Sequence, residues 1–143
     1  MMKIGEELVE TTDLDWFGVL SNGVVAHFAT AGRAHLPTAI QESVENYELA
    51  FEYFNSLGCF SEWSIVEENL PHFSNDRSRV RYISPFVEMA RRGLYSYDAG
   101  EDGGYKLIAV PVVELKFVSE DLMGVIPCFN LEPVNIIFPD DLV

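Results

Sequence analysis

Three histidines are the first residues to weigh for chemistry in this chain, and His27 is the best placed of them. It lies in DLDWFGVLSNGVVAHFAT, residues 13–30, which reads as a β-hairpin closed by Asn22-Gly23. That pair suits the two positive φ angles of a type I′ turn. A two-residue turn there sets Leu20 opposite Val25, Gly18 opposite His27 and Trp16 opposite Ala29. Those six share one side of the ribbon. Phe17, Val19, Val24, Ala26 and Phe28 share the other, which is uniformly apolar and therefore core. Glycine opposite His27 leaves room for a shallow pocket, with the imidazole at its rim and Trp16 one pair along. A pocket of that kind suits a small ligand, or proton transfer near neutral pH, where imidazole titrates. In this register Asp15 and Thr30 point to the other side, so no carboxylate is set to orient the ring. The commoner role of a histidine so placed is packed and hydrogen-bonded.

The other residue types that carry chemistry stand in weaker patterns. His35 and His72 fall in loop-like contexts without HxH, HExxH or HxxxH spacing, and no serine occurs in GxSxG. The run GEDGG is neither a dinucleotide fingerprint nor a P-loop. Asp98, Glu101 and Asp102 beside it offer oxygens to a hard cation but lack the alternating ligands of an EF-hand loop, so the expectation is an acidic hairpin loop. Cys59 and Cys128 belong to no CxxC or Cys/His cluster, and a reduced cytoplasmic pair is expected. Twenty-three acidic residues make a glycosidase-like carboxylate pair easy to find and therefore uninformative. No catalytic residue, metal or cofactor is assigned.

The elements that must position these residues follow from periodicity and punctuation. A helix is expected from Thr38 to about Leu57, with Thr38 as N-cap, Gln41 completing a capping box and Gly58 beyond its end. Ile40, Val44, Tyr47, Phe51 and Phe54 recur at helical spacing as its buried stripe. Glu42, Glu45, Glu48 and Glu52 project from the opposite arc, with Leu49 and Tyr53 among them. The face Glu42, Glu45, Leu49, Glu52 and Tyr53 is the candidate binding surface, set against the plainer reading of a solvated helix side. Residues 61–83 stay unassigned between helix and extended chain. Ser84-Pro85 reads as N-cap and first residue of a helix running to Gly93. Leu94–Asp98 and Tyr105–Val110 read as a second hairpin around AGEDGG, with further strands at Val112–Val118 and Val134–Phe138. SEDLM reads as a turn or a single helical turn. Hairpins around two main helices define a single α+β domain over residues 1–143, with a largely antiparallel sheet.

Charge narrows the partners. The chain of 143 residues carries a formal net charge of −14, a field that disfavours nucleic acid and anionic membrane surfaces and speeds encounter with a basic protein. Between Ala34 and Asp76 lie eight acidic residues and no lysine or arginine, whereas Arg77 to Arg92 holds five arginines against Glu88 alone. The basic island is expected to pair with the acidic stretch and hold the domain together. With 48% hydrophobic residues the chain is well supplied for a core, and no window reaches the ~18 apolar residues of a membrane span. MMKIGEELVETTD has neither the apolar run nor the cleavage site of a signal peptide, so the expected location is cytoplasmic.

DWFGVLSNGVVAHFATAG followed by Pro37, and RGLYSYD followed by GYKLIAVP, resemble a pattern seen in small, mostly uncharacterised acidic bacterial proteins. Proteins of this kind are similar in size and acidity to immunity proteins of toxin systems. The two motifs span about a third of the chain and are fold motifs, so they transfer no site residue. The resemblance implies an immunity function, and the net charge of −14 points to a basic toxin as the partner. Two readings therefore stand: a non-enzymatic, acidic protein-binding module, and a small-ligand binder or enzyme with a pocket near His27 and Trp16. The residues leave the oligomeric state open.

Overall fold

A computed structural model describes residues 5, 14–31, 36–100, 102–115 and 118–138. The first hairpin forms where the turn signal lies, from Asp15–Val19 (β1) and Val25–Ala29 (β2). Its register, however, differs by one residue from the two-residue turn. Trp16 faces Phe28, Phe17 faces His27, Gly18 faces Ala26 and Val19 faces Val25. The loop is three residues, Ser21–Gly23, wound as a 3₁₀ turn. Asn22 and Gly23 do take positive φ, 66° and 77°. Ser21 is drawn into the loop because its N–H donates to Leu131 O at 2.9 Å, and Leu20 N–H then closes on Val24 O at 2.8 Å. A slip of one residue exchanges the faces of a strand. Trp16, Ala26 and Phe28 thus share one side of the sheet, and Phe17, Val25 and His27 the other.

Five strands make one sheet in the order β1-β2-β4-β5-β3, where β3 is Trp63–Ile65, β4 is Tyr95–Ala99 and β5 is Tyr105–Pro111. All neighbours are antiparallel except β2 and β4. The second hairpin is β4 and β5, as its sequence predicts. Val112–Val118 does not extend the sheet within its described residues, and Val134–Phe138 contributes a single bridge, Ile136 to Tyr105.

The long helix expected from Thr38 to Leu57 is two. A single turn, Thr38–Gln41 (α1), stops before Ser43, whose extended backbone and hydroxyl, accepting from Asn46 N–H at 3.1 Å, start Val44–Ser56 (α2). The Gln41 amide donates to Leu36 O at 2.7 Å. The break rotates the buried stripe, so Ala50 and Phe54 are buried while Phe51 is exposed. Beyond α2, Leu57 ends the helix in extended conformation, without a left-handed cap at Gly58.

Asp76–Arg91 (α3) begins well before Ser84-Pro85. Asn75 is its cap, accepting from Ser78 N–H at 2.8 Å. Pro85 sits inside the helix on its exposed side, where the carbonyl four residues earlier can be solvated in place of the lost bond. Gly93 (φ 89°) then turns the chain into β4; a Cβ there would lie 2.6 Å from Leu115 N. Glu120–Met123 (α4) is the helical turn expected from SEDLM.

The two long helices cover the Phe17 and His27 side, with Phe17 stacked on Phe54 at 4.5 Å. The opposite side is closed by the irregular segment Phe129–Phe138 over an aromatic cluster. There Trp16 stacks on Phe28 at 4.1 Å, and Phe28 on Tyr97 at 4.8 Å. Each such pair adds about 0.5–1.5 kcal/mol beyond its burial. No described helix is long and apolar enough to cross a membrane.

Candidate functional site

The corrected register gives His27 the partners that the two-residue turn denied it. Asp15, His27 and Ser96 stand side by side on adjacent strands β1, β2 and β4, all on the helix-covered face. Asp15 Oδ1 lies 2.7 Å from His27 Nε2, and Ser96 Oγ lies 2.8 Å from Nδ1. The Nε2–H donates to the carboxylate, which leaves Nδ1 to accept the Ser96 hydroxyl while the ring is neutral. Phe17 and Phe86 flank the imidazole, with ring centroids 5.5 and 6.3 Å away.

The residue types are those of an acyl-transfer triad, but their depth is reversed. His27 is 2% exposed and Ser96 is wholly buried, while the Asp15 carboxylate at the sheet edge is 37% exposed. A nucleophile must reach a carbonyl carbon beside oxyanion donors. Here the hydroxyl sits at the closed end of the chain and the carboxylate at the open end. The arrangement orders three strands and satisfies a buried imidazole and hydroxyl; it does not present a nucleophile.

Trp16 lies on the other face of the sheet from His27. It is buried, and its Nε1–H donates to Tyr105 Oη at 3.0 Å. The room expected above Gly18 is filled, since a Cβ there would meet Phe129 Cε2 at 3.2 Å and Pro127 O at 3.4 Å. His27 and Trp16 therefore form no common pocket. A crevice of about 10 Å³ between Trp16, Phe17, Ile40, Tyr47 and Ala50 has room for about one water.

The acidic loop residues are likewise engaged in structure. Asp98 is buried, with Oδ1 accepting from Ala99 N–H at 2.9 Å and Oδ2 from Tyr82 Oη at 2.5 Å. Asp102 caps the loop by accepting from Gly104 N–H at 3.0 Å. Among the described residues, no three His, Cys, Asp or Glu side chains converge as metal ligands. Glu101 and His35 lie outside the described residues, and His72 is exposed.

The acidic helix face is the part of the predicted site that comes together at the surface. Glu45, Glu48, Leu49 and Glu52 follow i, i+3, i+4 and i+7 spacing on α2, one exposed stripe about 10 Å long at 1.5 Å per residue. Leu49 is 45% exposed in its middle, and Glu42 is exposed at the break before α2. Tyr53 does not belong to this stripe. It is half-buried, its ring meets Phe54 edge-on at 5.1 Å, and its hydroxyl accepts from Ser119 N–H at 3.4 Å.

The arginines pair elsewhere. Arg79 bonds Glu67, Arg91 and Arg92 meet Glu88, and Arg92 Nε–H donates to Leu57 O at 3.0 Å, tying α3 to the end of α2. Of the acidic run 34–76, Glu67 is thus matched by the basic island. Among the described residues no lysine or arginine forms an ion pair with Glu48 or Glu52. The Tyr95 hydroxyl, half-buried and donating to Glu114 Oε2 at 2.6 Å, is pushed up to about 12 by burial first and by that carboxylate second.

Compared with protein-family models, curated proteins and solved structures, the chain matches none.

Proposed function

We propose that this chain is a non-enzymatic, acidic protein-binding module, of the kind that neutralises a basic toxin, and that the α2 stripe is its contact surface. The observation that carries this reading is the exposed row Glu45, Glu48, Leu49 and Glu52, whose Glu48 and Glu52 are matched by no basic side chain among the described residues. Rows of one sign raise the encounter rate with a partner of the other sign, and an exposed leucine amid them supplies apolar contact once docked. The net charge of −14 acts in the same direction and opposes binding to nucleic acid or anionic membrane surfaces.

The rival reading, an enzyme or small-ligand binder at His27 and Trp16, has the Asp15–His27–Ser96 chain in its favour. Burial of the serine and separation of Trp16 from His27 by the sheet oppose it. Titration calorimetry with a basic toxin, chosen from the genes beside this one, tests the proposal. Binding at low salt that weakens as salt is raised is the expected result. No binding at low salt overturns it.

A further inference from the structure

Strand β3 ends the sheet, and its outer edge is open among the described residues. Val66 N–H donates to Ile108 O at 2.9 Å and Val112 N–H donates to Glu62 O at 2.8 Å, while Trp63 faces Pro111 and Ile65 faces Ala109. Antiparallel ladders alternate bonded and non-bonded pairs, so Glu62, Ser64 and Val66 turn their amides toward β5. Trp63 and Ile65 turn theirs outward. Pro111 fits this alternation, since it sits at a non-bonded position and has no N–H to give. Among the described residues nothing pairs with that outer edge. Beside it the surface is apolar, with Trp63 41%, Phe60 55% and Val113 50% exposed.

We infer that two copies of this chain pair antiparallel through β3, about a two-fold axis at Ser64, joining their sheets into one. In that register Trp63 of each copy exchanges both backbone bonds with Ile65 of the other, four bonds in all. Trp63 and Ile65 lie on the same face, so each tryptophan packs across the strand on a β-branched side chain, a favourable pair. Charge agrees with this register. Glu62 comes opposite Val66 rather than opposite another glutamate. The turn Glu67–Asn69 runs toward Ser61 and Phe60 of the other copy, whose N–H groups are held by Arg91 O at 3.0 and 2.9 Å. Arg91 of one copy is thereby brought toward Glu67 and Glu68 of the other. The edge is three residues long and each copy carries −14, so the association is reversible and is strengthened by salt.

Sedimentation equilibrium of the full chain over a concentration series, at low and raised salt, tests this. The expected mass moves from 16.1 kDa toward twice that value as concentration rises, and does so earlier in raised salt. Ile65→Pro removes the outward N–H but leaves the inward bonds at Ser64 and Val66. By symmetry it deletes two of the four bonds and weakens the dimer roughly tenfold or more. Trp63→Glu, which leaves the backbone intact, provides the same reading should Ile65→Pro lower the melting temperature. A mass of 16.1 kDa throughout overturns the inference, as does a dimer that neither variant weakens.

Discussion

Replacing His27 by alanine isolates what the Asp15–His27–Ser96 chain does. The imidazole is 2% exposed and bonded at both nitrogens, so its loss acts in two ways. The buried Ser96 hydroxyl loses this partner, which costs about 1–3 kcal/mol. The space between Phe17 and Phe86 is left partly empty, and truncating a well-packed buried side chain costs about 2–5 kcal/mol in general. Taken together a loss of roughly 3–8 kcal/mol is expected, a large share of the 5–15 kcal/mol that holds a domain folded. With a urea m-value of about 2 kcal/mol/M, the unfolding midpoint falls by roughly 2–4 M. Asp15→Asn keeps an acceptor for Nε2–H and sits at the wet end of the chain, so its loss is near 1 kcal/mol. Ser96→Ala combined with His27→Ala removes the orphaned hydroxyl, so the double variant falls less than the sum of its parts by about 1 kcal/mol. Urea unfolding followed by circular dichroism measures all four. A His27→Ala variant within ~1 kcal/mol of the parent refutes the structural role argued for this chain.

Asn22→Val with Gly23→Val forces two β-branched residues to positive φ and is expected to cost roughly 2–4 kcal/mol, read as a fall in melting temperature; unchanged melting contradicts the turn. Gly93→Ala sets a Cβ against Leu115 N at a φ of 89° and should destabilise by more than about 2 kcal/mol, whereas Gly58→Ala, with open space around it, should not. Alkali gives a signed test at Tyr95. Its phenol ionises at 10.0 in the unfolded chain and is pushed up to about 12 in the fold. The folded state therefore favours the neutral form, and this contribution is complete below pH 10 and lost as pH rises toward 12. Tyr97 is raised as well, chiefly by burial, and acts in the same direction. Tyr95→Phe should flatten part of that fall in urea titrations, and stability that does not change between pH 10 and 12 rules the effect out.

What could be read from the chain in advance was local. The Asn22-Gly23 signal placed a turn correctly because positive φ is a property of those two residues. The register, and with it the face His27 occupies, goes with bonds to a distant segment, Ser21 to Leu131 and Val19 to Pro127 and Phe129, which no local pattern announces. The two-residue register therefore sets Asp15 on the side away from His27, whereas the two share a face. The α2 glutamates were legible because helical periodicity alone aligns them. Tyr53 was misplaced because its hydroxyl is engaged by Ser119, beyond any local pattern. Ser84-Pro85 imitated a helix start, while the operative cap, Asn75, preceded a polar run, DRSR, without a clear apolar stripe. Ser43 goes unread as a cap because the apolar spacing of Ile40, Val44 and Tyr47 continues across it. Strand β3 is too short to announce itself, and tertiary pairing with β5 creates it.

The claim on which the functional account rests is that opposite charge brings a partner to the α2 stripe. Its most direct measurement is the association rate of a basic toxin partner with the parent chain and with Glu48→Lys/Glu52→Lys, followed across ionic strength. The account predicts a rate that falls steeply with salt for the parent, and a slower, nearly flat dependence for the charge-reversed chain. Equal rates and equal salt dependence for the two proteins would contradict it.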